Sequence, residues 1–137
     1  MTEHQAALGV SQMTRLDEYV ARRNALADRY DRLLTDLPLD KPGRLERAES
    51  AFHLYVIRVD AARRRAVFDH LRANGIGVNV HYIPVHTQHY WRQFGFRDGQ
   101  FPVSEDYYAR AISIPLFPGM TEADQDEVIR VLTQALV

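Results

Sequence analysis

Residues 77 to 96 read "GVNVHYIPVHTQHYWRQFGF" and gather most of the groups in this chain that could do chemistry. Between positions 79 and 89 stand Asn79, His81, Tyr82, His86, Gln88 and His89. Amide, phenol and imidazole groups donate and accept hydrogen bonds, and an imidazole can also move a proton or bind a metal near neutral pH. Three histidines meet the count for a catalytic zinc site, but spacings of five and three across a strand and a loop do not force them to converge. Metal binding is therefore the weaker reading. A wall of hydrogen-bonding groups and a set of surface histidines satisfied locally both stay open on these residues alone.

The step from Ile83 to Pro84 stiffens the way out of the strand, as a binding wall would need. Tyr90, Trp91, Phe94 and Phe96 could stack on a planar or sugar ligand, although such clusters more often serve as core packing. No catalytic residue is assigned in this chain. No serine occupies a nucleophile elbow, no pair of carboxylates stands out, and "GIG" at 75 to 77 lacks the following helix of a dinucleotide fingerprint. The single lysine, Lys41, lies in "LDKPGR", where exposure is expected rather than the desolvated pocket of a Schiff-base lysine. Arg22 with Arg23, and Arg63 to Arg65, are interleaved with acids and read as solvated helix faces.

Composition narrows the function classes. A length of 137 residues suits one hydrophobic core, and a net charge of −1 offers no footprint for nucleic acid. The absence of cysteine removes disulfides and thiolate chemistry. "MTEHQAALGV" does not have the pattern of a signal peptide and no run approaches 18 apolar residues, so the expectation is a cytoplasmic protein without a membrane partner.

The elements that must position the loop follow from periodicity. One long amphipathic helix is expected from about residue 3 to about residue 36, capped by Thr2 with Gln5, its stripe formed by Met13, Leu16, Val20, Ala27, Tyr30 and Leu34. Its sparsely apolar start points to contact with something beyond this domain. After a loop at Pro38, Pro42 and Gly43, residues 52 to 59 read as a strand. A helix capped by Asp60 and ended by Asn74 and Gly75 follows, then a second strand over 76 to 82 with Ile76, Val78, Val80 and Tyr82 on one face and Asn79 and His81 on the other. Short helices near 88 to 94 and 104 to 111, a third strand at "ISIPL" and a final helix capped by Thr121 complete an α/β arrangement of about three strands with helices on one face.

Three blocks in order carry a resemblance: "MTEHQAALGVSQMTRLDEYVARRNALADRYDRLL", "GIGVNVHYIPVHTQHYWRQFGF" and "ISIPLFPGMTEADQDEVIRVL". Together they resemble the last third of the pyridoxal-phosphate-dependent nucleotide-sugar aminotransferases of the DegT and StrS group, including members of the spore-coat-polysaccharide and pseudaminic-acid pathways. The resemblance runs from Thr2 to Leu136 and is weakest near 38 to 50. It implies a carboxy-terminal small domain of fold type I over residues 37 to 137, led by an interdomain helix over 1 to 36. It also implies a missing amino-terminal large domain that would carry pyridoxal phosphate and its lysine, so that this chain alone would bind no cofactor and be inactive. The tyrosine, asparagine and arginine stretch usual ahead of this region in the family would lie just before Met1.

The implied parent is a homodimer that transfers an amino group, usually from glutamate, to a keto group on a nucleotide-linked sugar. Asn79, His81, Tyr82, His86 and Gln88 are the implied substrate contacts, with His81 as a hydrogen-bond donor to the sugar or its phosphates. The alternative from another class is a free-standing binding or interaction domain without catalysis.

Overall fold

The computed structural model describes residues 1 to 137. Two strands, β1 (Tyr55–Arg58) and β2 (Ala111–Ile114), pair antiparallel with Tyr55 opposite Ile114 and Ile57 opposite Ile112. These four side chains enter one core of 20 buried residues. Helices α2 (Leu16–Leu33), α3 (Arg64–Ala73) and α6 (Glu122–Leu136) add Leu26, Ala27 and Tyr30, Val67 and Leu71, and Val128, Val131, Leu132 and Leu136, and the connecting segments add the remainder, among them Phe52, Ile76, Val78 and Met120. Val56, Ser113 and Ala111 alternate onto the opposite face, where Tyr107 of α5 (Pro102–Arg110) lies beside Val56 and Arg58. Helices thus border both faces, and no helix is long and apolar enough to cross a membrane.

Of the three expected strands, the first and third form β1 and β2, and the second, over 76 to 82, is reduced to a single bridge. Asn79 N–H donates to Ser113 O at 3.2 Å and Ser113 N–H donates to Asn79 O at 2.8 Å, and the pairing stops there. In an antiparallel ladder the next bonded pairs would set residue 81 against 111 and residue 77 against 115. Ala111 has already given its N–H to Tyr107 O as the cap of α5, and Pro115 has none to give. Residues 76 to 80 still follow the expected alternation, since Ile76 and Val78 are buried and Asn79 is exposed; Tyr82, expected on the apolar face, is exposed.

The long leading helix is two helices, α1 (Glu3–Met13) and α2. Thr2 and Gln5 form the expected capping box at the start of α1. At its end the Thr14 hydroxyl donates to Ser11 O at 2.8 Å, a local bond that competes with helix continuation, and Arg15 leaves helical geometry. Met13 and Leu16, placed on the expected stripe, are exposed, whereas Ala27, Tyr30 and Leu34 are buried as the stripe requires. No residue of α1 is buried.

Local end signals elsewhere are obeyed with one shift. Asn74 caps α3 and Gly75 follows at φ +78, the left-handed geometry that a glycine adopts without Cβ strain. Thr121 and Asp124 form a capping box on α6. Asp60 accepts from Ala62 N–H in a turn rather than capping the helix itself, and α3 starts four residues later.

The arginine pairs are clips, not solvated faces. Arg22 donates to Met120 O, Arg23 Nη1 donates to the carbonyls of Phe52 and Leu116 at 2.9 and 3.0 Å, and Arg63 donates to the last carbonyls of α6 at Ala135 and Leu136. Arg64 donates to Ala109 O, while Arg63, though it also reaches α6, and Arg65, paired with Asp69, stay exposed as the solvated reading expects. Fixed guanidinium forks reach carbonyls that no strand or helix partner satisfies.

Candidate functional site

The segment from Asn79 to His86 lies along the free edge of β2 and is fastened at each end to the continuous unit α5 and β2. At one end His81 Nδ1 meets Ser113 Oγ at 2.8 Å, and Ser113 is 4% exposed. At the other, His86 Nε2 meets Glu105 Oε1 at 2.8 Å, and His86 is 8% exposed. Ser113 and Glu105 were not among the residues expected from the sequence. Only the alternation of "ISI" hinted that Ser113 would leave the core face.

Glu105 is a hub. Gly99 N–H donates to both of its oxygens at 2.7 and 2.9 Å, Phe101 N–H to Oε1 at 3.2 Å, and His86 Nε2 completes the set. Gly99 has φ +86, which turns its amide toward the carboxylate without a Cβ to obstruct. The Gly99 amide first, then His86, hold the Glu105 carboxyl below its ordinary range. An ionised carboxylate only accepts, so the His86 Nε2 proton points into this cluster.

The other expected contacts divide accordingly. Asn79 is exposed, with Oδ1 accepting from Val80 N–H and its amide nitrogen free of protein partners. Tyr82 is 71% exposed and stands edge-on to the His81 ring with centroids 4.5 Å apart. Gln88 is exposed at the start of α4 (His89–Arg92), where its carbonyl accepts from Trp91 and Arg92. Asn79, His81 and Tyr82 therefore form one ridge that faces outward, while His86 faces inward as its anchor. No three histidines or carboxylates gather in metal-ligating geometry.

Tyr90, Trp91, Phe94 and Phe96 do not join the core. They meet one another edge-on or tilted with centroids 5.4 to 6.2 Å apart, and Tyr90, Trp91 and Phe94 are exposed. Beside them Val85, His86, Trp91, Phe96, Phe101 and Ser104 enclose a shallow hollow of about 390 Å³. The largest hollow, about 790 Å³, lies away from the ridge, between Asn24, the 42 to 50 loop and Phe52.

Lys41 is half-buried, not exposed. Its ammonium donates to Asp31 O at 2.8 Å and Thr35 Oγ1 at 3.2 Å, holding the end of α2. An amine committed to a carbonyl and a hydroxyl is not poised for a Schiff-base role.

The chain is thus an α/β unit with Asn79, His81 and Tyr82 along one outward ridge. A family model described as the DegT/DnrJ/EryC1/StrS aminotransferase family matches residues 1–133, and the chain belongs to that family. The spore coat polysaccharide biosynthesis protein SpsC of Bacillus subtilis is 39% identical over 136 residues, covering 94% of this chain and 35% of SpsC. Among solved structures, Spr1654 of Streptococcus pneumoniae, described as a sugar aminotransferase, superposes at TM-score 0.93 with 27% identity over 98% of this chain and 35% of its own. It has been solved in PLP and PMP forms as well as apo. PseC of Helicobacter pylori, an aminotransferase in pseudoaminic acid biosynthesis, gives TM-score 0.87 at 25% identity over 96% of this chain and 36% of its own. The chain thus spans about a third of the length of the relatives it matches.

Proposed function

We propose that this chain is the carboxy-terminal small domain of a sugar aminotransferase, and that the whole enzyme moves an amino group, from glutamate, to a keto nucleotide-sugar in surface polysaccharide biosynthesis. The observation that carries this reading is the family match over residues 1–133 combined with coverage of only 35% of SpsC. Pyridoxal phosphate, held by a large domain outside these residues, would supply the electron sink for amino transfer. The residues present here bind and orient. Asn79, His81 and Tyr82 would meet the sugar nucleotide from the outward ridge, Gln88 would extend it, and His86 would hold its end in place, each amide or imidazole matching hydroxyl or phosphoryl oxygens. Residues 1 to 36 would join the two domains, and the whole enzyme would act as a homodimer in the cytoplasm.

The test is amino transfer by the full-length gene product with glutamate and a keto nucleotide-sugar, followed by His81→Ala and Asn79→Ala. Activity with a raised KM in both variants is expected; full-length protein without transaminase activity overturns the reading. For the 137-residue chain alone, borohydride after pyridoxal phosphate should trap no stoichiometric adduct on Lys41. Stoichiometric nucleotide-sugar binding by the chain alone would instead favour a free-standing binding domain.

A further inference from the structure

His81 Nδ1 and Ser113 Oγ are 2.8 Å apart, and each could be the donor. The surroundings of Ser113 decide which. Its residue is 4% exposed, and its hydroxyl oxygen has no other hydrogen-bond partner in the protein. If the imidazole gave its Nδ1 proton to Oγ, the serine proton would be left buried with nothing to receive it, an arrangement folded proteins avoid. If the hydroxyl donates to Nδ1, both groups are satisfied and the ring proton moves to Nε2. That nitrogen has no partner in the protein, and it is not among the buried polar atoms that lack one, so it reaches solvent.

We propose that Ser113 is a positioning residue that fixes His81 as the Nε2–H tautomer and turns that proton outward, making His81 a neutral hydrogen-bond donor for a hydroxyl or phosphoryl oxygen. The tautomer stands on the hydrogen-bond geometry; the choice of acceptor rests on the reading of the ridge as a substrate surface. Two histidines five residues apart thereby carry the same proton to opposite destinations. His86 spends its Nε2–H on Glu105 inside the protein, whereas His81, accepting at Nδ1, keeps its Nε2–H for a ligand. The bridge between Asn79 and Ser113 sets the distance, because it locks the backbone two residues before His81 to the residue whose hydroxyl orients it. A hydrogen bond to one ring nitrogen that selects a tautomer is a recurring way to orient an imidazole for use at its other nitrogen.

The experiment is imidazole ¹H–¹⁵N correlation on the ¹⁵N-labelled 137-residue chain at about pH 8, above the ordinary histidine pKa of about 6.5. His81 is expected to show a protonated Nε2 and an unprotonated Nδ1. Ser113→Ala should shift both nitrogens toward the averaged values of a ring exchanging between tautomers, and Ser113→Thr, which keeps the hydroxyl, should restore the wild-type pattern. Should Ser113→Ala not fold, Ser113→Cys, similar in size but a weak donor, makes the same comparison. A wild-type His81 protonated at Nδ1, or a spectrum unchanged on loss of the hydroxyl, overturns the proposal. Because the readout needs no ligand and no turnover, its failure is distinct from a failure of the aminotransferase reading, which the full-length assay decides.

Discussion

Glu105 and His86, 19 positions apart, meet at 2.8 Å, and through that contact the first turn of α5 holds the end of the ridge that begins at Asn79. The same carboxylate collects the amides of Gly99 and Phe101, so one side chain joins three stretches of backbone. None of these stretches enters the 20-residue core. The order of the segment from His86 to Phe101 depends on this polar cluster more than on apolar burial.

Glu105→Gln tests that dependence. An amide side chain can replace at most part of the acceptor set, so hydrogen exchange at Gly99 and Phe101 should accelerate while amides of β1 and β2 keep their protection. The pH dependence has a fixed sign. Because the folded carboxyl titrates below its unfolded value of about 4.3, its contribution is complete above that pH and is lost as pH falls through the folded pKa. Wild type should lose protection at Gly99 on this acid limb. The variant should show less of that slope, and equal slopes would remove Glu105 from the account.

Tyr30 and Tyr55 make the opposite prediction at high pH. Burial raises both phenols; Tyr30 OH donates to Pro115 O at 2.9 Å and Tyr55 OH to Asp31 Oδ1 at 2.5 Å. Groups whose folded pKa is raised stabilise fully below the unfolded value of about 10 and lose that contribution as pH rises toward the folded one. Urea midpoints should therefore decline above about pH 10, and Tyr30→Phe should flatten the decline. At neutral pH the same substitution should cost about 1–2 kcal/mol, the lost hydrogen bond leaving Pro115 O without that donor.

Arg23→Ala should cost about 2–3 kcal/mol, since one guanidinium serves the carbonyls of Phe52 and Leu116 at the edge of the core. Phe52 has φ +44, an uncommon geometry for a residue with a side chain, and its carbonyl is one of the two acceptors. Arg23→Lys should recover less than half of the loss because an ammonium lacks the planar reach of the fork. Urea unfolding at neutral pH gives both values. A change below about 0.5 kcal/mol for Arg23→Ala would return Arg23 to the class of surface residues.

Parts of this fold were legible where the governing contacts are local. Thr2 with Gln5, Thr121 as a cap, and Asn74 with Gly75 each set an element end within a few residues, and each behaves as its type requires. The second strand, over 76 to 82, did not form beyond one bridge because its pairing depends on donors 30 or more positions away: Pro115 has no N–H and Ala111 spends its own on α5. Pro115 was visible as a residue, but not as the neighbour of Gly77. The arginines were misread for a related reason, since charge alternation along a helix does not show whether a distant carbonyl lies unpaired opposite it. At the candidate site, the polar character of Asn79, His81 and Tyr82 could be read from their types, whereas the inward turn of His86 needed Glu105, and Ser113 looked like one small residue in an apolar strand.

α1 supplies the remaining prediction. With no buried residue in α1, removal of residues 1 to 13 should leave the unfolding free energy from urea titration unchanged to within about 0.5 kcal/mol. The same helix exposes Leu8, Val10 and Met13, and Leu16 follows at the start of α2, an apolar surface that the rest of this chain does not cover. Light scattering on the intact chain should therefore show mass rising with concentration, and the truncated chain should show less of it. If truncation lowers stability by more than about 1 kcal/mol, α1 belongs to the folded body and cannot be a separate connecting element. Unchanged stability together with lost association is the pattern required of a helix whose packing partner lies on another part of the polypeptide or on a second copy.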